Sequence, residues 1–255
     1  MEKRIEILLD EIRRVHLEIL GERLTGIYVH GSLAFGCFRW ETSDVDFLTV
    51  VNGAVTTAEK RRLLTWILSV REKYPPKGIE MSIVEERYCR GFLYPTPYLF
   101  HFSEGHLRRC LQDPAEYCET MHGTDPDLAA HFTVTRAVGF PLYGPPAAEL
   151  FAPVPEKAYF AALLYDVENM EADIAAHPVY CVLNLCRVLA FCREGTVLSK
   201  AAGGVWGMTH LEPVWHDVIR QAAEAYKIGG SVTADAETLR RFAARCIGEI
   251  RNRIE

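Results

Sequence analysis

The chain has 255 residues, 49% of them hydrophobic, a formal net charge of −6 and eight cysteines. Such a length supports one large core or two modest ones, and the composition is that of an ordinary globular protein. The acidic balance argues against a general nucleic-acid binder, which carries a basic face, and it suits a small cationic partner better.

The cysteines are scattered, with no C-x-x-C pair. Cys181 and Cys186 fall on apolar helical patterns, where a reduced thiol serves as a small hydrophobe. The amino-terminal run EKRIEILLDEIRR is amphipathic rather than signal-like, and no apolar stretch reaches membrane-spanning length. The expected setting is a reducing cytoplasm, with free thiols, no zinc site and no membrane.

Residues 3 to about 20 predict a helix, with Ile5, Leu8, Leu9, Ile12 and Val15 at spacings of three and four, ended by Gly21. A short strand over Gly26–His30 closes at Gly31-Ser32, and a second runs from Val45 to Val51. Asp44 and Asp46 open that second strand. Side chains of a strand alternate with a period of two, so both carboxylates leave one face. Two like charges side by side are costly unless a cation lies between them, and Mg²⁺ prefers carboxylates and substrate phosphates. A solvated surface pair is the alternative. Ser32 and the N–H groups around Gly31 could cradle phosphate oxygens in the preceding turn.

Asn52-Gly53 signals a turn, and Thr56 with Glu59 predicts a capping box for a helix through Leu63, Leu64, Ile67 and Leu68 to Lys73. Tyr74-Pro75-Pro76 stops it. A third strand follows over Gly78–Val84, with Glu80 isolated among apolar residues. A buried carboxylate needs a partner. If this strand lies beside the one carrying Asp46, Glu80 reaches the same metal edge, where it could bind metal or accept a proton. Otherwise it is an edge-strand residue facing water. Residues 88–124 are irregular; Glu104 either faces a substrate or is a solvated residue at a helix start.

Thr124–Leu128 reads as a helix start, with Asp125 as N-cap and Pro126 in the first turn, which leaves Asp127 over for a ligand contact. The helix ends near Gly139. The proline-dense stretch 141–156 reads as a linker, and beyond it the pattern is helical: one helix along Tyr159–Met170, another after His177-Pro178, and a last one from about Thr233 to Ile254. Arg187 within an apolar helix either snorkels outward or meets an anion, and Lys200 stands near a helix start.

Gly31-Ser32, the Asp44–Asp46 pair and Glu80 together resemble the nucleotidyltransferase superfamily signature. DPDLA at 125–129, LYGPPAAELFAPVP at 142–155, the segment ending at Arg187, and LSKAAGGVW at 198–206 narrow the resemblance to the aminoglycoside nucleotidyltransferases that adenylylate streptomycin and spectinomycin. The similarity covers nearly the whole chain. It implies an α+β protein: a nucleotidyltransferase domain over 1–150, with a mixed β-sheet and flanking helices, then an α-helical bundle over 151–255 completing the nucleotide and acceptor site.

The resemblance further implies Asp44 and Asp46 as Mg²⁺ ligands, two ions in all, and Glu80 as third carboxylate and general base. Gly31, Ser32 and Ser43 would hold the triphosphate of ATP, Asp125 or Asp127 would contact the nucleotide, and Arg187 with Lys200 would neutralise its phosphates. Glu104 falls at a drug-contacting position. The segment before the Arg187 helix departs from the family: VENMEADIAAHPVY has no tryptophan, and His177 stands where an acid is expected, although Asp173 retains another. This favours spectinomycin over streptomycin, or another hydroxylated cation. A monomer is implied. A non-antibiotic acceptor, or a non-catalytic nucleotide-binding regulator, is the alternative function.

Overall fold

A computed structural model describes residues 3–254, and the chain divides into two units, Met1–Val154 and Pro155–Glu255. The first unit is built on a five-stranded sheet. Its strands are β1 (Leu24–Val29), β2 (Val45–Val51), β3 (Ile79–Glu85), β5 (Phe100–Phe102) and β7 (Phe140–Tyr143), in the order β5-β3-β2-β1-β7. The strands β4 (Thr96–Tyr98) and β6 (Gly123–Asp125) form a separate two-stranded ribbon. The sheet is mixed: β2 and β3 run parallel, and the other pairs are antiparallel.

A parallel pair needs a crossover, and the helix Thr57–Ser69 provides it between β2 and β3. The capping box that starts this helix is present in both directions, Thr56 accepting from the Glu59 amide and Glu59 accepting from the Thr56 amide. Strand alternation sorts the sheet into two faces. Val45, Phe47, Met81 and Ile83 pack with the helices Lys3–Leu20 and Thr57–Ser69 in one core. Leu48, Val50 and Val84 face the other way, against Leu128, Phe132 and Phe151. Asp46 and Glu80 share the phase of that second face, at the start of their strands.

Two local expectations are corrected. The helix expected from Pro126 begins at Leu128, because Asp125 is held in β6 opposite Thr96 and its side chain accepts from the Asp127 amide instead of capping a helix. The stretch 141–156 is not a bare linker. Phe140–Tyr143 is the edge strand β7 on β1, and Ala147–Leu150 is a helical turn whose Ala147 and Leu150 enter the core. Proline is tolerated at Pro141 because an edge strand has one side that needs no donor.

The second unit is helical: Glu156–Val167, Met170–Asp173, Pro178–Glu194, Lys200–His210, His216–Ile228 and Ala236–Ile254. The Pro178–Glu194 helix is apolar nearly all round and is the buried centre of the bundle. It is crossed closely by Lys200–His210. A Cβ added at Gly203, Gly204 or Gly207 would stand 2.8, 2.8 or 2.7 Å from atoms of the central helix. No helix among the described residues is long and apolar enough to cross a membrane. All eight cysteines are free, and all but Cys37 are buried.

Candidate active site

The parallel pairing of β2 and β3 sets Asp46 directly beside Glu80. Asp44 precedes β2 by one residue, and the three side chains offer carboxylate oxygens that all lie within 4.8 Å of one another. This convergence follows from register: a slip of one residue would turn Glu80 to the opposite face.

The turn after β1 shapes the same place. Gly31 adopts a left-handed backbone (φ +60°), and a Cβ there would fall 1.8 Å from Asp46 Oδ2. The His30 amide donates to the Asp46 carbonyl at 3.0 Å, locking the turn to β2. The Ser32 hydroxyl is buried and has no hydrogen-bond partner. Ser43 is also buried, but its hydroxyl accepts from the Arg39 amide at 3.1 Å and closes the loop ahead of Asp44.

Three acidic oxygens without thiolate or imidazole form a donor set for a hard divalent cation. The crowding of Asp46 against a residue that must be glycine, and the orphaned Ser32 hydroxyl, fit a site shaped for a metal and an oxygen-rich ligand. Mg²⁺ with a nucleotide phosphate satisfies both.

Sequence reading missed His131. On the helix Leu128–Val138 its Nε2 lies 3.1 Å from Asp127 Oδ2 and 3.9 Å from Glu80 Oε1, and its ring is 4.8 Å from that of His30. The signal was present in the spacing: Asp127 and His131 are four apart, hence neighbours on a helix. The electrostatics are strongly coupled. Burial raises the pKa of Glu80, His131 draws it down, and Asp44, Asp127 and Asp125 push it up again. Burial opposes charge on His131, yet the carboxylates of Asp127, Glu80 and Asp125 prevail and raise it to about 10. His30, buried and facing His131, is held well below the usual range. Burial also raises Asp125.

Glu104 is committed within the first unit. It accepts from the Tyr74 hydroxyl at 2.7 Å, pairs with Arg71 at 3.5 Å, and packs where a Cβ on Gly78 would be. Arg187, Lys200, Asp173 and His177 belong to the second unit. Asp173 and His177 are exposed around the start of the central helix, with the His177 amide bonded to the Asp173 carbonyl at 3.0 Å. Arg187 lies on the central helix, and Lys200 opens the next one, whose N-cap Ser199 accepts from the Ala202 amide.

Residues 149–249 match the family model described as aminoglycoside adenylyltransferase, C-terminal domain. An aminoglycoside (3'') (9) adenylyltransferase of Klebsiella pneumoniae is 28% identical, with 97% of this chain and 95% of that protein covered. A spectinomycin 9-adenylyltransferase of Staphylococcus aureus is 22% identical, with 82% of this chain and 80% of that protein covered. The spectinomycin adenyltransferase from Enterococcus faecialis, solved with ATP and spectinomycin, superposes with a TM-score of 0.78 at 18% identity, covering 95% of this chain and 98% of that one. At that identity the likeness is one of fold. Residues 149–249 thus match the carboxyl domain of the aminoglycoside adenylyltransferases, and nearly the whole chain is similar in sequence to the Klebsiella member.

Proposed function

We propose that this chain transfers AMP from ATP to a hydroxyl of an aminocyclitol or aminoglycoside antibiotic, spectinomycin before streptomycin, and releases pyrophosphate. The observation that carries the reading is the convergence of Asp44, Asp46 and Glu80 beside the Gly31-Ser32 turn. These carboxylates would hold Mg²⁺, as two ions. Bound there, the metal supplies Lewis-acid polarisation of the α-phosphate and neutralises charge on the departing pyrophosphate.

The chain's own groups do the positioning. Gly31 admits the phosphate tail close to the backbone, and Ser32 gives its unpartnered hydroxyl to a phosphate oxygen. Glu80 accepts the proton of the acceptor hydroxyl as its oxygen bonds to the α-phosphorus and the bond to the pyrophosphate oxygen breaks. Burial, which disfavours charge on Glu80, suits it to take that proton. Asp127, with 41% of its side chain exposed and tied to His131, is better placed than Asp125 to meet the nucleotide. Arg187 and Lys200 supply positive charge to phosphates. Asp173 and His177 are the acceptor-facing residues proposed in the second unit. Their segment has no tryptophan and carries His177 where the resemblance implies an acid, hence the preference for spectinomycin.

The test is Mg²⁺-dependent pyrophosphate release from ATP with spectinomycin, streptomycin or no acceptor, with the adenylylated product identified by mass. Release requiring spectinomycin is expected. Tight Mg·ATP binding with release prompted by neither drug would overturn the antibiotic assignment and point to another hydroxylated acceptor.

A further inference from the structure

Within the second unit, a chain of polar groups runs through an otherwise apolar bundle. Asn184 is completely buried in the central helix, and both ends of its amide are committed. Its Nδ2 donates to Asp166 Oδ2 at 2.6 Å, and its Oδ1 accepts from Nε of Arg187. The other oxygen of Asp166 accepts from the Tyr180 hydroxyl at 2.8 Å. Asp166 therefore fixes which way the amide points, since a flipped Asn184 would turn its oxygen toward a carboxylate. The face of the Tyr180 ring lies 4.7 Å from the Lys200 ammonium.

This arrangement holds Arg187 by its inner edge. Nε is bound, and NH2 is 3.9 Å from Asp166, beyond hydrogen-bond reach. Among the described residues, the guanidinium makes no other hydrogen bond or ion pair. Its backbone is held as firmly, because a Cβ on Gly203 would stand 2.8 Å from Arg187 Cβ and N. A planar fork whose inner edge is anchored and whose outer donors are unspent matches two oxygens of a phosphate. A buried asparagine between a carboxylate and an arginine would be a poor choice for stability alone, since an apolar residue there needs no satisfied partners.

We propose that Asp166, acting through Asn184 and Tyr180, is a positioning residue that aims the Arg187 guanidinium at the polyphosphate of the nucleotide. The inference rests on Arg187 being a phosphate contact, as proposed above. Tyr180 joins the two cations: its hydroxyl steadies Asp166 while its ring faces Lys200.

The experiment uses the full chain and measures KM for ATP, KM for the acceptor and kcat, with thermal melts beside them. Asn184→Asp sets two carboxylates against each other, and Asp166→Asn weakens the anchor. The paired exchange, Asp166→Asn with Asn184→Asp, restores the hydrogen bond between the two positions with donor and acceptor reversed, while Tyr180 and Arg187 donate as before. The single variants should raise KM for ATP about tenfold, the worth of one well-made charge-assisted hydrogen bond. The acceptor KM should hold, and the paired exchange should recover most of the loss. Tyr180→Phe, at an exposed position, should raise KM for ATP by about threefold, as expected for a solvent-exposed hydrogen bond to the Asp166 carboxylate. Variants that melt earlier but keep the wild-type KM for ATP would overturn the inference and leave a structural role. If Asn184→Asp does not fold, the paired exchange and Tyr180→Phe decide by the same measure. Arg187→Ala separates the two readings. No effect of Arg187→Ala on KM for ATP would sink the phosphate contact itself, whereas a large effect beside silent Asp166 and Asn184 variants would sink only the positioning role.

Discussion

Gly31→Ala is the sharpest perturbation of the carboxylate cluster. The added Cβ would lie 1.8 Å from Asp46 Oδ2, so the oxygen must retreat by roughly 1.5 Å to regain an ordinary carbon–oxygen contact of about 3.3 Å. Asp46 Cγ would also stand 2.7 Å away, so the whole carboxyl group must swing about the Cα–Cβ bond to make the room. The folding cost is then chiefly that of a left-handed alanine, about 1–2 kcal/mol against a total of about 5–15. The functional cost is larger, because a misplacement near 1 Å at a reacting centre can cost about 100-fold in rate. Gly21→Ala is the matched control: its φ is +55° against +60° for Gly31, and nothing lies within 4 Å of the added Cβ. Urea denaturation should show similar losses of stability in both variants. Pyrophosphate release should fall about 100-fold in Gly31→Ala only, in keeping with that misplacement. Wild-type turnover in Gly31→Ala would refute the claim that this turn sets the aim of Asp46.

Other outcomes follow from buried and paired groups. His16 is fully buried, with Nδ1 bonded to the Ile12 carbonyl at 2.8 Å, and burial lowers its pKa from 6.5 to about 4. Its contribution is present above pH 6.5 and lost as pH falls toward 4, in all about 3 kcal/mol; urea midpoints of His16→Leu should decline less over that window, and an unchanged slope would contradict the assignment. Glu249 is gripped by Arg193 at 2.6 and 2.8 Å and also by Arg245, which lowers its pKa to about 2. Glu249→Gln should cost about 2 kcal/mol at pH 7, a cost that fades as pH falls from 4.5 toward 2; an equal cost at pH 7 and pH 2.5 would mean the charge is not what matters. Thr56→Ala removes one half of the capping box and should cost about 1 kcal/mol in chemical denaturation, without altering turnover.

What the residues revealed in advance depended on whether the signal was local. The amphipathic first helix, the capping box and the strand around Asp46 are set by neighbours in the chain, and they stand where their patterns place them. The meeting of Asp46 with Glu80 was conditional on two strands pairing, and the parallel register supplies it. Other features depend on distant partners. Phe140–Tyr143 looks like proline-rich linker until β1 offers it an edge. Asp125 has the type and place of an N-cap, but pairing of its backbone with Thr96 draws it into a strand. His131 went unremarked, because nothing nearby in sequence announces Glu80. The helix His216–Ile228 was missed although its buried residues Val218, Ile219 and Ala222 keep helical spacing. The Asp166–Asn184–Arg187 chain was hidden for the same reason as His131: eighteen residues separate Asp166 from Asn184, and only the packing of two helices joins them.

The measurement that bears most directly on the central claim is pyrophosphate release by Glu80→Gln, with Mg·ATP and spectinomycin saturating. The substitution keeps shape and removes only the carboxylate's capacity to bind metal and take a proton. A folded protein is expected, with turnover lower by about 10²–10⁴-fold, the usual worth of a general base. Turnover equal to that of the wild type would mean that Glu80, although it lies beside Asp46, takes no part in the chemistry.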